Sequence, residues 1–346
     1  MKKALISRYG AYGDIIHCSH LPHMLKLKGY DVVDFETNWK GLQILTNNPF
    51  IDNLIFFEPS NNMRLFSHPA YRGRHWYNIS NEYDLFINLY HSLEHGCIAM
   101  EGDPEYYMHS DARKWMREVN FYDQTSKWAG FPEECGRWTG ELYFTDKEHD
   151  ILEKWYNKFD GKYVVFLNLS GTTIHKRFVI VNEIAEWVLD NIPNSHIITT
   201  GDASCKEIDL SGDRVTSIVG KFPFRQAALL TKYVDLMISM ESGLAVSSHV
   251  WNTPTIQLLT SSSIKNHSSL ALNDYSIESP ARCSPCSKGP YRFIGCPHKN
   301  GFPECVYFDK EIVMNQIKKV YDDYKNKRLI GRNKISRPND AVMPTM

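Results

Sequence analysis

The chain of 346 residues has no apolar run approaching the ~20 residues that a membrane-crossing helix needs. Polar and charged residues interrupt its first apolar run after Ile6, so it lacks the h-region of a secretory leader. The expectation from both absences is a cytoplasmic protein without a transmembrane segment. An excess of one charge is also missing. Lys and Arg number 39 against 40 Asp and Glu, a net charge of -1, and no strong overall field recruits nucleic acid or a membrane surface. Low-complexity segments and short-period repeats are absent. No G-x-G-x-x-G fingerprint follows a strand with an acid after it, which argues against a nicotinamide-dependent oxidoreductase, and no G-x-x-x-x-G-K-[ST] loop occurs.

What is present is an ordinary globular composition, 42% hydrophobic and 23% charged, long enough for two domains. The charge is unevenly spread. Residues 1–150 hold 15 Lys and Arg against 21 Asp and Glu, and the remainder holds 24 against 19. A basic second half suits a phosphate-bearing ligand, and an acidic first half a neutral or cationic one.

Strand and helix patterns alternate along the chain, which predicts parallel, doubly wound sheets. The apolar run Ala4-Leu5-Ile6 leads into "SRYGAYGDIIH", and Ile15 through Leu27 then carries apolar residues at helical spacing. Arg8, Gly10, Tyr12, Gly13 and Asp14 thus lie where a strand turns into a helix. Strand patterns also end near Leu89, ahead of His91 and Glu94. After a helix over Lys147–Lys158 a second series begins, with strands in "KYVVFLNLSG", "SHIITTGD", "VDLMISMESG" and "TPTIQLLTSS". The pattern places an N-terminal Rossmann-like domain over 1–150, with an aromatic- and histidine-rich insertion over 63–140. A C-terminal Rossmann-like domain follows over 151–330, then a polar tail over 331–346.

Three strand-end segments of the second half carry chemistry. "NLSGTTIHKRF" supplies hydroxyls at Ser170, Thr172 and Thr173, close backbone approach at Gly171, and two cations at Lys176 and Arg177. That is a phosphate-binding composition, although a solvated polar loop reads the same way. Gly201 ends the next strand, and Glu241, Ser242 and Gly243 end another. Near the C-terminus, Cys283, Cys286, Cys296 and Cys305 have a spacing that can hold a structural zinc ion, with His298 as a substitute ligand. Reduced thiols or a disulfide are the alternatives.

Together these segments resemble the heptosyltransferase family, glycosyltransferase family 9. "SRYGAYGDIIH" is similar to its opening R-x-G-x-x-G-D, "LTNNPFIDNLI" to its G-N-P-x-I-D-x-V, and "EYDLFINLYHS" to its Y-D-x-x-I-D-L strand. "GTTIHKRF" resembles its donor phosphate loop, "ESGLAVSSHVWNTPTIQLL" its D-T-G-x-x-H-L-A-A segment, and "CSPC" its cysteine cluster. The chain departs from the pattern at Glu241, an aspartate in the family, and at Val246, a histidine there. The resemblance implies the GT-B fold, two Rossmann-like domains facing across a cleft. It implies inverting, metal-independent transfer of a sugar from a nucleotide diphosphate to an acceptor hydroxyl. Asp14 then falls on the catalytic base. Ser170, Thr172, Thr173, Lys176, Arg177, Gly201, Glu241, Ser242 and Gly243 fall on the donor side. Arg8, Gly10, Tyr12, Gly13, His91 and Glu94 are the acceptor-side candidates. The absence of D-x-D at a strand end fits the lack of a catalytic metal. A glycan is the first expectation for the acceptor. A hydroxylated base in modified DNA is the alternative, favoured by the Arg-bearing aromatic stretches "YRGRHWY" and "DARKWMREV". A third reading is an inactive nucleotide-sugar-binding protein.

Overall fold

The computed structural model describes residues 1–57, 69–169, 171, 173–202, 205, 211–288 and 303–331. They cluster into two compact units. The first comprises Met1–Ser92 and Tyr122–Thr145, and the second Leu93–Phe121 and the described residues from Asp146 onward. Among the described residues no helix is long and apolar enough to cross a membrane.

The first unit is built on four parallel strands, β1 (Lys3–Ser7), β2 (Val32–Thr37), β3 (Asn53–Phe56) and β4 (Leu85–Asn88), in the order β3-β2-β1-β4. Ala4, Leu5 and Ile6 of β1 are fully buried, as a central strand covered on both faces requires. The spacing from Ile15 through Leu27 predicts one helix, but the structure has two, Tyr12–Ile16 and Leu21–Leu27. Pro22 has no amide hydrogen to continue the ladder. Ser19 Oγ also donates to the Ile16 carbonyl at 2.8 Å, closing the first helix.

The second unit holds six parallel strands: β5 (Tyr163–Asn168), β6 (Ser195–Thr200), β7 (Val215–Ser217), β8 (Leu236–Met240), β9 (Thr255–Leu259) and β10 (Ile277–Glu278). Their order is β10-β9-β8-β5-β6-β7. Counted from β5 and read from the β7 edge, this is the 3-2-1-4-5-6 order of a doubly wound sheet. Every residue of β5 is buried. The helix Val181–Asn191 turns Val181, Ile184, Ala185 and Val188 inward at helical spacing. The helix Lys310–Lys325 starts at Asp309, whose side chain accepts the Glu311 amide, and it occupies the range expected from the sequence.

The domain limits differ from the expected boundary near 150. The chain leaves the first unit at Ser92, returns at Tyr122 and leaves again after Thr145, so the middle of the aromatic stretch belongs to the second unit. Hydrogen bonds explain this. Asn266 Nδ2 donates to the carbonyls of Met116 and Val119, each at 2.7 Å. Arg113 Nε donates to the Cys286 carbonyl at 2.7 Å, and the Ala99 amide to the Ser287 carbonyl at 2.8 Å. Of the aromatics in that stretch, Tyr106, Phe121, Tyr122 and Trp138 are core, whereas Tyr77, Tyr107, Trp115 and Trp128 stay exposed. Residues 332–346, most of the expected tail, lie outside the described residues.

Candidate functional site

Ligands of doubly wound sheets bind at the carboxyl ends of the strands, where connections from neighbouring strands leave toward opposite faces. In the first sheet that point lies between β1 and β4, and in the second between β5 and β8. The loops after these four strands carry most of the residues singled out in the sequence.

In the first unit, Arg8 leaves β1 with its side chain buried. Its Nη1 donates to the Leu89 carbonyl after β4 at 2.6 Å, and its Nη2 lies 3.4 Å from Asp14 Oδ2. The same Asp14 oxygen accepts the Ala11 amide at 3.0 Å, capping the helix Tyr12–Ile16. The Asp14 side chain is 30% exposed, against 1% for Arg8. A buried guanidinium therefore orients a carboxylate that solvent reaches. Gly10 makes this possible. Its φ is +147°, and a Cβ there would sit 2.8 Å from Asp14 Oδ2. Tyr12 accepts a hydrogen bond from Gln43 Nε2 at 3.0 Å, and Gly13 offers its carbonyl to the His17 amide. His91 follows β4 with φ +62° and packs edge-on against Tyr90, ring centroids 3.9 Å apart. Glu94, also an acceptor-side candidate, lies beyond Ser92 and falls in the second unit, bridged to Ile98.

Sequence reasoning missed two neighbours of this loop. Trp39, 48% exposed, stands edge-on to Tyr12 with centroids 5.9 Å apart. Glu36, buried near the end of β2, accepts from Ser7 Oγ at 3.0 Å and pairs with His75 Nε2 at 2.9 Å. Burial pushes the Glu36 carboxyl above its ordinary range, against the opposing pull of His75. An acid inside the apolar run "VVDFET" was the available signal.

In the second unit, the loop after β5 closes into a turn over Ile174–Lys176. The Gly171 amide donates to the Lys176 carbonyl at 3.0 Å, and the Lys176 amide to the Thr173 carbonyl at 2.9 Å. A Cβ on Gly171 would come within 2.5 Å of Lys176 Cβ, so the lysine stem lies against the glycine. Thr173 Oγ1 is shielded from solvent and has no hydrogen-bond partner among the described residues. Ser170 and Thr172 lie outside the described residues. Among the described residues neither Lys176 nor Arg177 makes an ion pair. Ser242 caps the helix Gly243–Val250 by accepting the Ala245 amide, and its Oγ lies 2.8 Å from Ser239 Oγ, which accepts from Asn168 Nδ2 at the end of β5. Gly201 ends β6 against Cys205, whose Sγ a Cβ would meet at 2.8 Å.

Glu241 does not offer its carboxylate outward. The side chain is buried, and Oε1 accepts the amides of Thr260, Ser261 and Ser262 at 2.7, 2.9 and 3.0 Å. Oε2 accepts from Ser261 Oγ at 3.1 Å.

Of the cysteine cluster, Cys296 lies outside the described residues, as does His298. Cys283 is near enough to Cys286 to help burial raise the Cys286 thiol, while Cys305 sits in the hydrophobic core of the unit. Among the described residues no group of three or more His, Cys, Asp or Glu side chains could hold a metal. The described cysteines thus do not form a zinc site by themselves.

No family model matches the chain, and no curated protein matches it by sequence. Its fold is shared with glycosyltransferases of family 9, which bears out two Rossmann-like units of GT-B type. A family 9 glycosyltransferase from Veillonella parvula is 13% identical, with 93% of this chain and 98% of that one covered, at a TM-score of 0.67. The E. coli ADP-heptose lipopolysaccharide heptosyltransferase II is 12% identical over 94% and 100% of the two chains, at 0.64. The E. coli heptosyltransferase WaaC with ADP is 12% identical over 92% and 99%, at 0.54.

Proposed function

We propose that the protein is an inverting glycosyltransferase that moves a sugar from a nucleoside diphosphate to a hydroxyl of a glycan acceptor, without a catalytic metal. The observation that carries this reading is the Asp14 carboxylate, oriented by buried Arg8 at the switch point of the first sheet and still reached by solvent. Asp14 takes the proton of the acceptor hydroxyl as that oxygen attacks the anomeric carbon. The new C–O bond forms on the face opposite the diphosphate, which leaves with the bonding electron pair. Lys176 and Arg177 are cations without an ion-pair partner among the described residues, suited to the charge that develops on the leaving group. Thr173 Oγ1 is a buried donor without an acceptor among the described residues, available to a phosphate oxygen. Arg8, Gly10, Tyr12, Gly13 and His91 shape the acceptor side.

The test is thermal stabilisation across a panel of nucleotide sugars, since a bound donor stabilises the fold by mass action. Transfer assays follow with glycan and with hydroxymethylated DNA acceptors, each run with EDTA. Lys176→Ala should weaken donor binding and slow transfer by about tenfold or more, because the cation acts in ground and transition states alike. No stabilisation by any donor, or activity that requires added Mg²⁺ or Mn²⁺, would overturn the respective part. Salt-sensitive transfer to DNA alone would replace the glycan acceptor.

A further inference from the structure

Glu241, which the sequence resemblance put on the donor side, has its carboxylate committed to three backbone amides and one hydroxyl of the turn after β9. Oε1 is saturated by the three amides, Oε2 already holds Ser261 Oγ, and the residue is only 2% exposed, so the carboxylate serves as an internal brace more than as a surface offered to a sugar hydroxyl. The side chain spans from the end of β8 to the end of its neighbour β9. What it holds there has a second contact. Thr260 Oγ1 donates to the His175 carbonyl at 3.1 Å, and His175 immediately precedes Lys176. From the other side the Gly171 amide holds the Lys176 carbonyl.

We propose that Glu241 is a positioning residue for Lys176, acting through Thr260, rather than a ligand of the transferred sugar. The inference rests on Lys176 as the cation that meets the diphosphate. Removing the carboxylate leaves three amides without their acceptor and releases Thr260, and with it the carbonyl that sets where the Lys176 stem starts. The chain thus fixes its donor cation through a tie to the next strand.

The experiment uses the full-length protein with Glu241→Ala, Glu241→Asp and Glu241→Gln. Acylation of Lys176 by an amine-reactive ester, followed by peptide mass spectrometry, needs no ligand. Affinities for ADP, GDP and UDP are measured by calorimetry in the wild-type and Lys176→Ala backgrounds. Glu241→Ala and Glu241→Asp should change the Lys176 labelling rate by about threefold or more while other lysines keep theirs, and Glu241→Gln, which keeps an acceptor oxygen, should stay near wild type. Diphosphate affinity should fall about tenfold in Glu241→Ala, and by less than about twofold once Lys176 is already alanine. Equal labelling rates in folded protein, or the same loss in both backgrounds, would overturn the proposal. If Glu241→Ala does not fold, Glu241→Asp decides. A wild-type chain that binds none of the three diphosphates overturns the donor reading, while the labelling still tests the link from Glu241 to Lys176.

Discussion

Asp14→Asn separates the charge of this residue from its shape. Asparagine keeps an oxygen for the Ala11 amide, so the cap of the first helix survives, but the charge facing Arg8 at 3.4 Å is gone. Breaking a buried ion pair from one side costs ~3–5 kcal/mol, and an exposed pair is worth ~0–1 kcal/mol. Here the arginine is buried and keeps its bond to the Leu89 carbonyl, while the acid is 30% exposed. The expected loss therefore lies between those limits, at about 1–3 kcal/mol. In a domain of this size each kcal/mol lowers the melting midpoint by about 2–4 °C, which calorimetry resolves. The effect on rate should be larger. Loss of a general base typically costs ~10²–10⁴-fold, so transfer should all but stop in protein that is folded and still binds donor. Turnover within about threefold of wild type would remove Asp14 as the base. A midpoint that did not move would show that the Arg8 pair orients the carboxylate without stabilising the fold.

Gly10→Ala should cost about 1–3 kcal/mol, because its φ of +147° strains a residue with a Cβ, and transfer should fall because that Cβ displaces Asp14. Unchanged melting and turnover would refute both parts. Asn266→Ala strips the donor from the Met116 and Val119 carbonyls, and about 1–3 kcal/mol should be lost for each that stays buried and unpaired. Limited proteolysis should then cut within 93–121 faster than in wild type, and an identical digestion pattern would count against this anchor. Acid should destabilise the second unit. Burial pushes His249 down to about 4 and His267 down to about 3, whereas in the unfolded chain each titrates near 6.5. Their stabilising contribution is therefore full above pH 6.5 and is lost as pH falls toward the folded values. At pH 5 the two together cost about 4 kcal/mol relative to pH 7. A melting midpoint that is flat between those pH values would refute the buried, neutral state.

The parallel sheets were legible because their strands are short apolar runs separated by helical periodicity, and "YVVFLN" or "LMISM" has no other comfortable place. Asp14 was legible because a carboxylate three residues into a glycine-flanked turn can both cap a helix and face solvent. The partners that orient it were not. Arg8 reaches a carbonyl 81 residues away, a contact that no local pattern encodes. Glu241 could be placed at a strand end but not aimed, because its direction depends on amides that only the pairing of β8 with β9 brings near. The break after Ile16 was readable in principle from Pro22. It was masked because the apolar spacing continues through it.

The detour of residues 93–121 into the second unit has a consequence for how the protein is made. Its anchors lie far downstream, Asn266 being 150 residues beyond Met116 and Cys286 173 beyond Arg113. At a ribosomal rate of about 5–20 residues per second, this segment waits about 10–35 s before its last partner is synthesised. During that wait Tyr106, Met116 and Phe121, all destined for burial, have only the small apolar clusters of their own segment and lack the downstream anchors at Asn266, His267 and Cys286. The first unit, whose residues all precede Asp146, can be completed first, but it must do so with this segment left waiting as an excursion between its two parts. The interval in which aggregation or chaperone capture competes with folding is set by translation speed over the second half. Synonymous changes that slow the ribosome there, with no change in any residue, should lower the yield of folded protein.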